Sequence, residues 1–146
     1  MNRLIIPAVL SFALLSGCSP VNVQERQYLR AVKIDGSKYE FTFFGESGDI
    51  CEAEGETPDE ALRSAEIQLG KEIFTGHAEL AVLGSCNKTD TLCMLLNEWK
   101  FPPSCLVIYD ENADLSQAGQ LIDALRLQID KYALPDFDIV TELGRC

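Results

Sequence analysis

The chain has 146 residues, with 23 acidic against 12 basic side chains, a formal charge of −11, and a hydrophobic share of 47% that is ample for a packed core. That size suits one domain with a single core and not a second large one. The acidic balance argues against a nucleic-acid partner, whose phosphates would be repelled, and against a polybasic route to anionic lipid.

Met1-Asn2-Arg3 makes a short cationic start, and the run from Leu4 to Leu15 is almost wholly apolar. This is the charged-then-apolar layout of an export signal. As a helix the run is about 18 Å long, against a hydrocarbon core of about 30 Å, so it does not comfortably span a bilayer. Leu15-Ser16-Gly17-Cys18 follows and resembles the lipobox of bacterial lipoproteins. Small residues there fit a peptidase groove, and Cys18 supplies the thiolate that accepts a diacylglycerol group. The expected organisation is therefore a signal over residues 1–17, a lipidated tether over 18–27 and a single domain over 28–146. Loss of residues 1–17 removes Arg3, leaving 11 basic against 23 acidic side chains, or −12.

In the domain, Tyr28–Ile34 and Lys38–Phe44 flank Asp35-Gly36, a strong hairpin signal. Tyr39, Phe41 and Phe43 alternate with polar residues and so share one face. A short strand is expected near Ile50–Ala53. Thr57-Pro58-Asp59-Glu60 combines a capping hydroxyl, a proline at the first helical position and a capping-box glutamate. Leu62, Ala65 and Leu69 then form a helical stripe, which reaches Ile73 if the helix survives Gly70. Glu79–Gly84 reads as an interior strand. Asn87 to Asp90 reads as a cap before a helix carrying Leu92, Leu95, Leu96 and Trp99, which Pro102-Pro103 stops. Cys105–Tyr109 is a second interior strand. A final helix begins near Asp114 or Ser116, with Ala118, Leu121, Ile122, Leu125, Ile129 and Tyr132 on one face. Pro135 marks its exit, before a short strand at Phe137–Val140. The order predicts a small α/β sandwich: a mixed sheet, antiparallel at the hairpin and parallel in its centre, covered by about three helices.

Six cysteines are present. With Cys18 acylated, Cys51, Cys86, Cys93, Cys105 and Cys146 remain, an odd number whose disulfide pairing is open. Export permits such bridges. No pair of close ligands points to a structural metal, and no cofactor motif is seen. The single histidine, His77, has no nucleophile elbow or cysteine signature around it. It is expected to brace a helix-to-strand junction through a hydrogen bond to backbone, or to contact a partner. The acidic stretch from Glu46 to Glu60 does not match a calcium loop and reads as a solvated face.

Taken in order, four short stretches resemble the Ger(x)C family of spore-germination lipoproteins, the C subunits of nutrient germinant receptors. They are the lipobox ending at Cys18, Glu25-Arg26 leading to Ala31-Val32-Lys33-Ile34-Asp35, Glu54-Gly55-Glu56-Thr57 before Glu60-Ala61, and Phe74-Thr75-Gly76-His77 with Val82-Leu83-Gly84. The resemblance covers about residues 15–110 and concerns the family's amino-terminal domain. Ser19-Pro20 stands where the family commonly has a tryptophan-containing start, and the cysteines are more numerous than usual. The resemblance implies a protein held outside a bacterial cytoplasmic or inner spore membrane, acting with membrane-embedded receptor subunits and without catalytic residues. Because family members carry further domains, it also implies a reduced relative or an adaptor. Against this expectation stand a structural or inhibitory envelope lipoprotein unrelated to germination, and an envelope hydrolase or thiol-redox protein using His77 or a reactive cysteine.

Overall fold

The computed structural model describes residues 26–45, 49–132 and 137–144. Cys18, the signal and Cys146 lie outside the described residues. The frame is a six-stranded mixed sheet ordered β3-β2-β1-β5-β6, with β4 also paired to β1. Strand β1 (Arg26–Asp35) is central and turns through Gly36-Ser37 into β2 (Lys38–Phe43), which pairs with it antiparallel. Gly36 sits at φ +61, the left-handed region that a tight hairpin requires and glycine tolerates. The strand starts at Arg26, inside the segment read as tether. The short β3 (Cys51–Glu54) falls within one residue of its expected place and edges the sheet against β2.

Helix α1 (Pro58–Leu69) begins as its sequence dictates. The Thr57 hydroxyl accepts the Glu60 N–H at 3.3 Å, while the Glu60 carboxylate reaches back to the Glu56 N–H at 3.1 Å. The helix does not survive Gly70, which adopts φ 64 as a left-handed cap. Ile73 therefore lies in a strand that the helical reading missed. This is β4 (Glu72–Phe74), parallel to the first residues of β1. Strand β5 (Leu80–Leu83) is buried throughout and runs parallel to β1 and to β6 (Leu106–Ile108).

Between β5 and β6 lies α2 (Lys88–Asn97), capped by the Asn87 side chain. The helix stops short of Trp99: Lys100 takes φ 56, and the Phe101 N–H closes on the Leu95 carbonyl at 2.9 Å. This carries Trp99 and Phe101 into the core, both nearly inaccessible. A 3-10 turn over Leu115–Gln117 leads into α3 (Ala118–Tyr132). Asp114 caps it, and hydrogen bonds from the Ser116 side chain and N–H hold that carboxyl below its usual range.

The expected strand at Phe137–Val140 is instead one isolated bridge, Asp138 to Leu106, followed by α4 (Ile139–Gly144). Asp138 decides this, because its carboxylate accepts the Thr141 N–H at 2.7 Å and its carbonyl the Glu142 N–H at 2.9 Å. Both bonds start a helix. Among the described residues four helices thus stand where about three were expected.

Two cores result. Helices α1, α2 and α4 cover one face through Ala61, Ala65, Leu92, Leu95 and Ile139, over Tyr39, Phe41 and Phe43. The 3-10 turn and α3 cover the other, with Leu115, Ala118 and Ile122 over Ala31, Leu80, Val82 and Leu106. The chain is thus a small α/β domain with an open mixed sheet between helical layers.

Candidate functional site: the base of the sheet and the flank of α3

The loop joining β4 to β5 builds the first candidate site. Both strands pair with β1 on the same side, yet Thr75 to Glu79 bulge out where β1 offers only Leu29 and Arg30. The Ala78 N–H donates to the Thr75 carbonyl at 3.1 Å, and the Glu79 N–H rejoins the sheet at the Arg30 carbonyl, 2.8 Å away. His77 projects from the apex of this turn and is exposed. Gly76 permits it, since a Cβ there would stand 2.9 Å from the Phe74 ring.

His77 accordingly lies between two strands, not at a helix-to-strand junction, because α1 ends at Gly70. Among the described residues its ring meets aromatics, Phe74 at 5.3 Å and Tyr28 at 5.9 Å between centroids, and no backbone hydrogen bond holds it. Tyr28, Phe44, His77 and Glu79 line an open groove of about 400 Å³.

The Glu79 carboxylate is clamped from two sides. Arg30 Nε donates to one oxygen at 3.2 Å and Arg126 Nη2 of α3 to the other at 2.8 Å. The Arg30 guanidinium also lies 5.5 Å from the Phe44 ring centroid and runs beside Gly119, where a Cβ would come within 2.9 Å of it. These pairs are partly exposed, so each contributes on the order of 1 kcal/mol or less. Chemically the groove brings together aromatic surface, an imidazole and a carboxylate already neutralised by arginine. Among the described residues its lining holds no serine, threonine or cysteine, and the hydroxyl it does hold is the Tyr28 phenol.

Four of the six cysteines lie among the described residues, and none of the four is bridged. Cys51, Cys86, Cys93 and Cys105 are free thiols, standing on β3, on the loop after β5, on α2 and just before β6. Burial pushes the Cys51 thiol up; burial first, and Glu79 second, push Cys105 up much further. Since thiolate is the reactive form, Cys105 should stay unmodified when the folded protein meets iodoacetamide at mildly alkaline pH and should react fully once unfolded. Peptide mass spectrometry reads both states. Alkylation of native Cys105 as fast as in the unfolded chain would contradict its interior position. Among the described residues no group of three or more His, Cys, Asp or Glu side chains is placed to hold a metal ion. No helix among them is long and apolar enough to cross a membrane.

A second feature lies along α3, whose stripe the sequence showed clearly. Among the described residues its cover thins along its length: Ala118 and Ile122 are buried, Leu125 and Ile129 half-buried, and Tyr132 is 62% exposed. The cause is geometric. Edge strand β6 has three residues, about 10 Å, whereas the fifteen residues of α3 extend about 22 Å. The stripe outruns its sheet and borders a groove of about 370 Å³ lined by Val107, Ile108, Tyr109, Leu125 and Phe137, among others. Only the tertiary arrangement reveals this, because helical periodicity does not say where the opposing surface stops.

No family model, curated protein sequence or solved structure matches the chain.

Proposed function

We propose that the chain is a non-enzymatic lipoprotein, anchored through Cys18 on the outer face of the bacterial cytoplasmic or inner spore membrane. It acts as a binding or assembly subunit for membrane-embedded receptor subunits, in the manner of the germinant-receptor C subunits it resembles. One observation carries the binding role: the α3 stripe loses its cover along its length, from half-buried Leu125 and Ile129 to exposed Tyr132, beside its groove. An apolar helix face of this kind, rimmed by Gln128 and Asp130, is what a protein partner covers. A domain held at the membrane by an acyl chain meets membrane proteins as its nearest neighbours, and the tether raises their effective concentration.

The test is a photo-crosslinking group at position 128 in the anchored full chain, expressed in sporulating cells. Integral membrane subunits of a germinant receptor are expected in the crosslinked product, and an Ile129→Asp/Tyr132→Asp chain should lose them about tenfold, as for removal of a central apolar contact. If the product contains no membrane subunit, the receptor role is wrong and a structural or inhibitory envelope lipoprotein becomes the better account.

A further inference from the structure

The charge of the domain is unevenly placed, which composition alone conceals. At the carboxyl ends of β1, β5 and β6 stand Asp35, Asp110, Glu111 and Asp114, with Asp90 in the first turn of α2. Asp35 and Glu111 are tied there through Ser85, at 2.9 Å from its N–H and 3.0 Å from its hydroxyl. Of the cations near this end, Lys33 is engaged by the Ala113 carbonyl and Glu40, and Lys88 lies over the Tyr109 ring at 4.0 Å, while Lys38 stands exposed in the hairpin beside Asp35. The opposite end, where β1 begins, carries Arg26, Arg30, Lys71, Lys100 and Arg126. Several carboxylates there are occupied, Glu72 by Arg26, Glu79 by Arg30 and Arg126, and Glu66 by the Ile73 N–H at 3.0 Å, while Asp130 stands exposed one turn past Arg126.

The same cationic end holds the aromatic groove of Tyr28, Phe44 and His77, with Phe44 40% exposed. It is also the end nearest the anchor. Arg26 follows Cys18 by eight residues, which at full extension reach about 28 Å. We infer that the tethered domain stands base down, with the groove of Tyr28, Phe44 and His77 and the flanking Arg26 and Lys71 against the anionic headgroups of the membrane holding its anchor.

The inference rests on the Cys18 anchor proposed above. The acyl chains supply the attachment; the charge asymmetry supplies the orientation. An anionic surface attracts the basic end over a Debye length of about 8 Å and repels the acidic pole. Aromatic side chains flanked by arginine and lysine suit the headgroup layer, where a ring has apolar and wet surroundings at once. The acidic balance of the chain does not by itself set the charge of this end, because Asp35, Asp110, Glu111 and Asp114 stand at the other end of the strands.

His77, the only histidine, makes the test clean. The lipidated full chain is reconstituted on vesicles of phosphatidylcholine alone and on vesicles that also contain phosphatidylglycerol. Flotation reports attachment, and mass spectrometry reports carbethoxylation of His77 by diethyl pyrocarbonate. The chain should float with both. His77 should react roughly fivefold more slowly on the anionic vesicles, about the preference that one cation near the surface contributes, and high salt should remove the difference. An Arg26→Gln/Lys71→Gln chain should lose the difference while still floating, and a Lys38→Gln/Lys88→Gln chain at the acidic pole should keep it. Equal reaction of His77 on both vesicle types, with the protein floating on both, overturns the orientation and leaves the anchor standing. Failure to float with either overturns the anchor and the orientation with it.

Discussion

Exchange of Cys18 for alanine is expected to abolish incorporation of an alkynyl fatty acid into the protein in growing cells, while the wild-type chain labels strongly. The thiolate is the only nucleophile in Leu15-Ser16-Gly17-Cys18 able to take a diacylglycerol group, and the neighbouring Ser16 offers a far weaker one. The consequence for location is large. Each buried methylene contributes about 0.8 kcal/mol, so two palmitoyl-sized chains contribute on the order of 20 kcal/mol and hold the protein durably. To read location without the apolar residues 4–15 retaining the chain, residues 1–18 are replaced by an ordinary secretory signal cleaved before Ser19. That chain should be recovered soluble, outside the membrane, where the wild type pellets with it. Label on the alanine variant, or none on the wild type, would remove the anchor from this account.

The largest expected effect on stability comes from Phe41→Ala. Phe41 is fully buried in the middle of β2, 6.3 Å from the Tyr39 ring and 6.1 Å from Trp99, in the core beneath α1 and α2. Truncation removes the transfer free energy of the ring and leaves a cavity that neighbouring sheet backbone cannot fill, a loss of about 3–5 kcal/mol. A domain of this size has about 5–15 kcal/mol in all. Trp99 is the only tryptophan and touches the site, so urea unfolding followed by its fluorescence measures the change directly. The midpoint should fall with little change in slope, and Phe41→Leu, which keeps most of the volume, should lose about 1 kcal/mol. A loss under about 1 kcal/mol for the alanine variant would mean that the aromatic core is not where the fold places it.

The readings that held rest on chemistry local in sequence. Asp35-Gly36 specifies a reversal wherever it occurs, Thr57-Pro58 and Glu60 satisfy amide groups within one turn, and the alternation of Tyr39, Phe41 and Phe43 needs only the pleat of a strand. The readings that failed depended on partners far along the chain. Three residues such as Glu72–Phe74 show no period, and they form a strand because the start of β1 lies beside them. Ile73 and Trp99 fit the apolar spacing of the helices before them, but Gly70 reverses the backbone ahead of Ile73 and α2 ends at Asn97, short of Trp99, so both side chains reach the core from outside those helices. At Phe137–Val140 the apolar pattern favoured a strand, and Asp138 capped a helix.

The candidate site divides the same way. His77 was visible as the lone histidine, and its exposure and aromatic neighbours were not, because Tyr28 and Phe44 come from distant strands. Nothing in the separate positions of Glu79, Arg30 and Arg126 announced that one carboxylate would sit between two guanidinium groups. By itself the sequence determined the class of the fold and the position of most elements, since these depend on short-range pattern and composition. Tertiary structure alone decided that the α3 stripe outruns its sheet, that the four described cysteines are left unbridged, and that a net-acidic chain has a basic, aromatic end. Each of these is a relation between segments remote in sequence, set by strand pairing and by the unequal lengths of a helix and the edge it covers.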